Sequence, residues 1–292
     1  MKFGIMFAST GPFASAQGAA AIATNADRCG IESIWSVEHV VIPDGYQSKY
    51  PYSEDGRIPA ADDADIPDPL IWLAYVAALT TEIRLATGIL IVPQRNPVVL
   101  AKECATLDKL SNGRFDLGIG VGWLEEEFTT LGLPFDDRGA RTDDYIAAMR
   151  ALWTQDRASH AGPFAQFSGA IQRPQPTRAS GVPIVVGGHS KAAARRAGRI
   201  GDGFFPISAS EDELVGLLEL MHATASEHGR DGDDITITVG SWSPRRDSLD
   251  KVKRLEDLGI DRLIVAPPTG NLDKLPEAIE ALAEKIAPVA TR

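Results

Sequence analysis

Eight short apolar runs in this chain each end in Gly, Pro or a polar residue, and each is followed by a stretch long enough for a helix. They are Lys2–Ala8, Ser33–His39, Ile83–Ile91, Arg114–Gly122, Pro183–Gly188, Gly203–Ser208, Ile235–Trp242 and Arg262–Pro267. Strands alternating with helices build parallel βαβ units, and eight such units predict a closed (β/α)8 barrel of the α/β class. The runs Gly88–Val92, Pro183–Val186 and Leu263–Ala266 are apolar on both faces, as strands covered by helices should be. Such a series takes about 250 residues. The 292 residues therefore read as one domain over 1–292, with insertions at about 43–68 and 157–182.

Helical faces are legible as well. Leu100, Cys104, Leu107 and Leu110 recur at helical spacing, as do Leu214, Leu217, Leu218 and Met221 behind the capping-box pattern Ser210-x-x-Glu213. Asn96 is placed to cap a helix whose first residue is Pro97. Cys29 and Cys104 lie among Ala and Leu in helical patterns and read as reduced core thiols.

Forty acidic against 29 basic residues give a net charge of −11, a field that disfavours nucleic acid and anionic membrane as partners. No charged leader precedes an apolar stretch, and no apolar run is long enough to span a bilayer, so a cytoplasmic location is expected. There is no His-x-His, His-Glu-x-x-His or Cys cluster, so no metal is expected.

Barrels of this kind carry their chemistry at the C-terminal ends of the strands. Alternation puts Trp35, Val37 and His39 on one strand face, so His39 emerges at such an end. His160, His222 and His228 fall in loops or helix ends with no visible partner and read as surface. The glycines Gly118, Gly120 and Gly122 either pack tightly or let a flat ligand approach the backbone. Gly187-Gly188-His189-Ser190 opens an Ala-rich helix, where free N–H groups and the helix dipole favour an anion. Glu125, Glu126 and Glu127 suit the positive end of a helix dipole and need no catalytic role. Trp35, Trp123 and Trp242 are candidates for pocket walls or for barrel core. The aromatic content of the first insertion (Tyr46, Tyr50, Tyr52) favours an ordered cover over solvated decoration, and the second insertion is long enough for a lid.

Several stretches together resemble the luciferase-like monooxygenase superfamily, and within it the oxidoreductases that depend on the deazaflavin coenzyme F420. They are Arg84–Gly88, Arg95-Asn96-Pro97-Val98, Leu110-Ser111-Asn112-Gly113-Arg114, Gly120-Val121-Gly122-Trp123-Leu124-Glu125-Glu126-Glu127-Phe128 and Gly187–Ser190. The resemblance implies a barrel that is often a homodimer, with His39, preceded by Glu38, beside the reactive carbon of the deazaflavin. It implies that Gly120, Gly122 and Trp123 adjoin the cofactor and that its tail phosphate lies near Gly187, Gly188, His189 and Ser190. It implies a bulge at Gly88–Ile89, with a non-prolyl cis peptide pressing on the back of the ring. Where the family's sugar-phosphate dehydrogenases carry a catalytic Glu, this chain has Trp123, so that activity is not expected. The reading is hydride transfer between F420 and a small organic substrate. The alternatives are an FMN-dependent two-component monooxygenase and a non-catalytic flavin-binding protein, because FMN and F420 share a tricyclic ring and a phosphate tail.

Overall fold

The computed structural model describes residues 1–59, 61, 63–207, 210–240 and 242–291. Ala60 and Asp62 of the first insertion, Ser208 and Ser241 of two strand runs, and Arg292 lie outside the described residues. The strands are β1 (Lys2–Ile5), β2 (Ser33–Ser36), β3 (Arg84–Thr87), β4 (Leu90–Ile91), β5 (Phe115–Gly120), β6 (Ala158–Ala161), β7 (Gln166–Ala170), β8 (Ile184–Gly187), β9 (Gly203–Phe205), β10 (Thr236–Val239) and β11 (Arg262–Val265). The helices are α1 (Ala16–Arg28), α2 (Pro69–Ala77), α3 (Pro97–Leu110), α4 (Glu125–Thr130), α5 (Arg138–Thr154), α6 (Lys191–Ile200), α7 (Glu211–Glu227), α8 (Leu249–Asp257) and α9 (Leu275–Ile286).

Strands β1, β2, β3, β5, β8, β9, β10 and β11 pair in parallel in that order, and β11 returns to β1 with Leu263 opposite Phe3. The eight-stranded barrel read from the sequence closes in this way, each strand shorter than its apolar run. The Ile83–Ile91 run is split in two: β3 stops at Thr87, a cis peptide joins Gly88 to Ile89, and β4 resumes beside β5 with Leu90 opposite Ile119.

Alternation along each strand sorts the side chains into two layers. Ile34, Leu85, Leu117, Ile184 and Ile237 face the helices, while Met6, Trp35, Ala86, Val185, Phe205 and Ile264 fill the barrel. Below them, toward the strand N-termini, the filling is ionic. Arg84 pairs with Asp116, and Arg262 donates to Glu32 at 2.6 and 2.8 Å and to the Thr238 hydroxyl at 3.3 Å. Buried charges persist only when paired and hydrogen-bonded in this way.

Local chemistry sets the helix ends. Asn96 Oδ1 accepts from the N–H of Val98 and Val99 at 3.0 and 3.3 Å, the cap expected for α3, and Ser210 with Glu213 forms the capping box of α7. Such caps contribute about 1 kcal/mol each. Asn112 and Gly113 both take positive φ (56° and 81°) to turn α3 into β5, and Arg114 then donates to the carbonyls of Ala77, Thr80 and Ile83. The Leu-Ser-Asn-Gly-Arg motif is therefore a chain-reversal device. Leu214, Leu217, Leu218 and Met221 are all buried, and so are Leu100, Cys104 and Leu107. Leu110, read as part of the same face, is 68% exposed because α3 ends there.

The second insertion does not cover the barrel mouth. It forms the antiparallel hairpin β6–β7, which packs along the outside of α5. Asp144 of α5 fixes it by accepting from His160 Nε2 at 2.8 Å and from the N–H of Phe164 and Ala165 at 2.9 Å. His160 is thus a structural partner and not a free surface residue. Among the described residues no helix is long and apolar enough to cross a membrane.

Candidate active site

The mouth at the C-terminal end of the barrel has an apolar floor: Val37, Ile89 and Ile207 are half-buried on top of the interior cluster. Ile89 owes its place to two glycines. A Cβ on Gly187 would lie 2.6 Å from Ile89 Cγ2, and one on Gly120 would collide with Ile89 Cδ1. The bare faces of Gly120 and Gly187 are thus filled by Ile89. Gly118 is required by the backbone of Thr87, and Gly122, at φ +84°, sits against Phe128 and Ile91. Tight packing accounts for every glycine of that motif.

β2 ends at Ser36, so His39 lies three residues past the strand and needs another support. Glu127 provides it. This carboxylate, wholly buried at the start of α4, accepts from His39 Nδ1 at 3.2 Å and from the N–H of Val40 and Val41 at 2.6 and 3.2 Å. Burial pushes the Glu127 carboxyl up, but the His39 contact and the Val41 N–H more than offset this and hold it below the usual carboxylate range. With Nδ1 occupied, the other ring nitrogen, Nε2, is the one left to meet a reacting molecule. The preceding Glu126 Oε1 accepts from the N–H of Gln47 and Ser48 at 2.6 and 3.1 Å. Glu126 and Glu127 therefore do more than answer a helix dipole, while the exposed Glu125 side chain does not. The contact partners are about ninety residues away along the chain, which sequence spacing does not reveal.

Glu38 is buried and points away from His39. It pairs with Arg95, accepts from the Ile91 N–H at 2.5 Å, and so anchors β4. Burial pushes its carboxyl up while Arg95 and the Ile91 N–H pull the other way. Arg95 also pairs with Asp68 at 2.6 Å, and Asp68 caps α2. The buried Gln94 amide lies beside Glu127 and helps hold its carboxyl down.

Of the three tryptophans weighed as pocket walls, one serves. Trp35 is buried inside the barrel and donates to Ser33 Oγ at 2.9 Å, while Trp242 packs on Phe3 in the helix-facing layer. Trp123 stands at the mouth with its ring edge-on to His39, Tyr46 and Tyr50, at centroid distances of 5.8, 5.6 and 5.3 Å. Tyr50 contacts Tyr52, and Tyr52 contacts His189 at 5.1 Å, so the first insertion bridges β5 and β8 as an ordered cover. Burial, helped by Tyr50, pushes the Tyr52 hydroxyl up to about 12.

At the start of α6, Ser190 Oγ accepts from Ala193 N–H at 3.1 Å. Gly188 takes φ +111°, and its N–H is already held by the Phe205 carbonyl at 3.1 Å. An anion here would be met by the N–H groups from His189 onward, and not by that of Gly188.

The chain is thus a (β/α)8 barrel with a carboxylate-held histidine at its mouth. Residues 1–243 match the family model described as luciferase-like monooxygenase, and the chain belongs to that family, whose members are oxidoreductases and monooxygenases. It is 32% identical over 271 residues to the protein Rv0953c of Mycobacterium tuberculosis, covering 92% of this chain and 93% of that one. It is 29% identical over 201 residues to an FMNH(2)-dependent dimethylsulfone monooxygenase of Pseudomonas putida, covering 68% of this chain and 54% of that one. An F420-dependent secondary alcohol dehydrogenase, solved in complex with an F420–acetone adduct, shares the fold with a TM-score of 0.78 and 18% identity over 99% of both chains.

Proposed function

We propose that this protein transfers a hydride between F420 and a small organic substrate. The reading is carried by one observation: His39 is held through Nδ1 by the buried Glu127 at the mouth of the barrel, directly above an apolar floor. The residues suit a deazaflavin. Ile89 on its glycine shelf offers a flat apolar support. The first turn of α6, with Ser190 and the N–H groups from His189 onward, would take the tail phosphate.

When bound, the deazaflavin supplies a carbon that accepts or donates hydride. His39 Nε2 holds or delivers the proton at the substrate oxygen, while Glu127 fixes the tautomer and steadies the imidazolium. Trp123, Tyr50 and Tyr52 exclude water from above. F420 is favoured by the Gly120–Phe128 motif. The similarity to the dimethylsulfone monooxygenase supports FMN as the second reading. Titration of the purified protein with F420 and with FMN separates the two: submicromolar affinity for F420 alone is expected, and submicromolar affinity for FMN alone overturns the proposal.

The same reading includes a homodimer. Ile71 and Tyr75 on α2, Leu79 just past its end, and Val98 and Val99 on the neighbouring α3 are 39–75% exposed. Contiguous apolar surface of this kind marks an interaction face. Light scattering should give twice the chain mass, and Tyr75→Glu should halve it.

A further inference from the structure

The wall of the mouth also restricts the substrate. We infer that the substrate is an uncharged, mainly apolar molecule that offers a single carbonyl or hydroxyl oxygen to His39. This inference rests on the proposed role of His39.

Among the described residues, the charged groups near His39 each make contacts within the protein itself. Glu38 is taken by Arg95, Glu127 by His39 and two backbone N–H groups, and Glu126 by Gln47 and Ser48. Arg57 lies 4.5 Å over the Tyr46 ring and donates to the Tyr46 carbonyl at 3.0 Å. Arg138 lies 3.6 Å over Phe135 and donates to the Gly122 carbonyl at 3.1 Å. A carboxylate or phosphate on the substrate would lose its hydration beside Glu126 and Glu127, and Arg57 and Arg138, which have no acidic partner among the described residues, could answer it only by leaving the rings they stack on, a combination that disfavours binding.

Beside His39, apolar groups are left open to a ligand. Phe7, just past β1, is 40% exposed and is held at φ +58°, a conformation rarely adopted by a bulky side chain. Its carbonyl is fixed by the N–H and hydroxyl of Thr10 at 3.3 and 3.0 Å. Val40, 46% exposed, follows His39 directly and has its N–H pinned by Glu127. Trp123 lies edge-on to His39, with Tyr50 against it. Aromatic faces and edges of this kind recognise flat apolar bodies and leave selectivity to one polar contact.

The test compares acetophenone with para-carboxyacetophenone, read by tryptophan fluorescence. The other four tryptophans, Trp35, Trp72, Trp153 and Trp242, are buried, so Trp123 reports the mouth. Acetophenone should bind at least about tenfold more tightly than the carboxylate. Phe7→Ser should weaken acetophenone about tenfold while leaving cofactor affinity and the thermal midpoint unchanged. Equal or tighter binding of the carboxylate, or no saturation by acetophenone up to its solubility limit, overturns the inference. Cofactor affinity is measured separately. Failure of F420 to bind defeats the cofactor assignment alone, because the ligand comparison is read on the protein without cofactor.

Discussion

Replacing Glu127 by Gln is the most direct assault on the site, since it preserves shape and reverses one hydrogen bond. In the native chain Oε1 serves the Val40 and Val41 N–H groups while Oε2 faces His39 Nδ1 at 3.2 Å. The amide oxygen can keep the first two contacts. The amide nitrogen would then present a donor to Nδ1, so the ring must move its proton to Nε2 and can no longer accept one there. At 3.2 Å and an effective dielectric of ~20, the attraction between Glu127 and protonated His39 is about 5 kcal/mol before desolvation, and the variant loses it. A wrongly held tautomer costs roughly 10²–10⁴ in kcat for acid–base catalysis. Stability should fall by only about 1–3 kcal/mol, because the buried amide remains partly satisfied. Glu127→Ala, which strands His39 and two N–H groups, should cost about 3–5 kcal/mol. The assay is F420 turnover with a neutral ketone or secondary alcohol, with cofactor affinity and thermal unfolding measured on the same samples. Nitrogen NMR of His39 reads the tautomer directly. A native tautomer and native kcat in Glu127→Gln would refute the orienting role.

Ser190→Asp retains a good helix cap but adds negative charge where the phosphate is proposed to sit. Cofactor affinity should drop at least about tenfold with an unchanged thermal midpoint, and unchanged affinity would place the tail elsewhere. Gly187→Ala should cost roughly 1–3 kcal/mol by overpacking Ile89, and Ile89→Ala should recover much of that loss in the double variant, as chemical denaturation would show. The raised Tyr52 hydroxyl favours the folded cover while neutral. That contribution is complete below the ordinary tyrosine range and is lost as pH rises from about 10 toward about 12. Alkaline difference absorbance should therefore show a late-titrating tyrosine that Tyr50→Ala shifts earlier. Asp144→Ala should free the β6–β7 hairpin to limited proteolysis without altering kcat, and an intact hairpin would refute its tether.

Much of this architecture is legible in the sequence because the relevant patterns are local. Strand alternation, the Asn96 cap and the Ser210–Glu213 box each depend on residues a few positions apart. The split after Thr87 came from family resemblance, since periodicity alone reads Ile83–Ile91 as one strand. The position of His39 at a strand end is legible in the sequence, but its support is not. Glu127 sits in a run of three glutamates at a helix start, where the dipole already accounts for acidic residues, and only the folded chain brings it to Nδ1. Trp242 was equally ambiguous: one residue of twist decides whether a tryptophan past a strand faces the mouth or packs on Phe3. The hairpin at 158–170 is not legible in the sequence because its strands are short and half polar.

Helix α4 holds two things at once. Glu127 fixes the histidine that would move the proton, and the adjacent Glu126 fixes the strand of chain that leads to Tyr50 and Tyr52. Reactivity and access therefore share one mount of six residues. An insertion or deletion in the turn between Gly120 and Glu125 would displace both together and spoil proton transfer before it widened the entrance. Redesign for bulkier molecules has freedom only farther out, beyond Ser48, where the chain is no longer tied to α4.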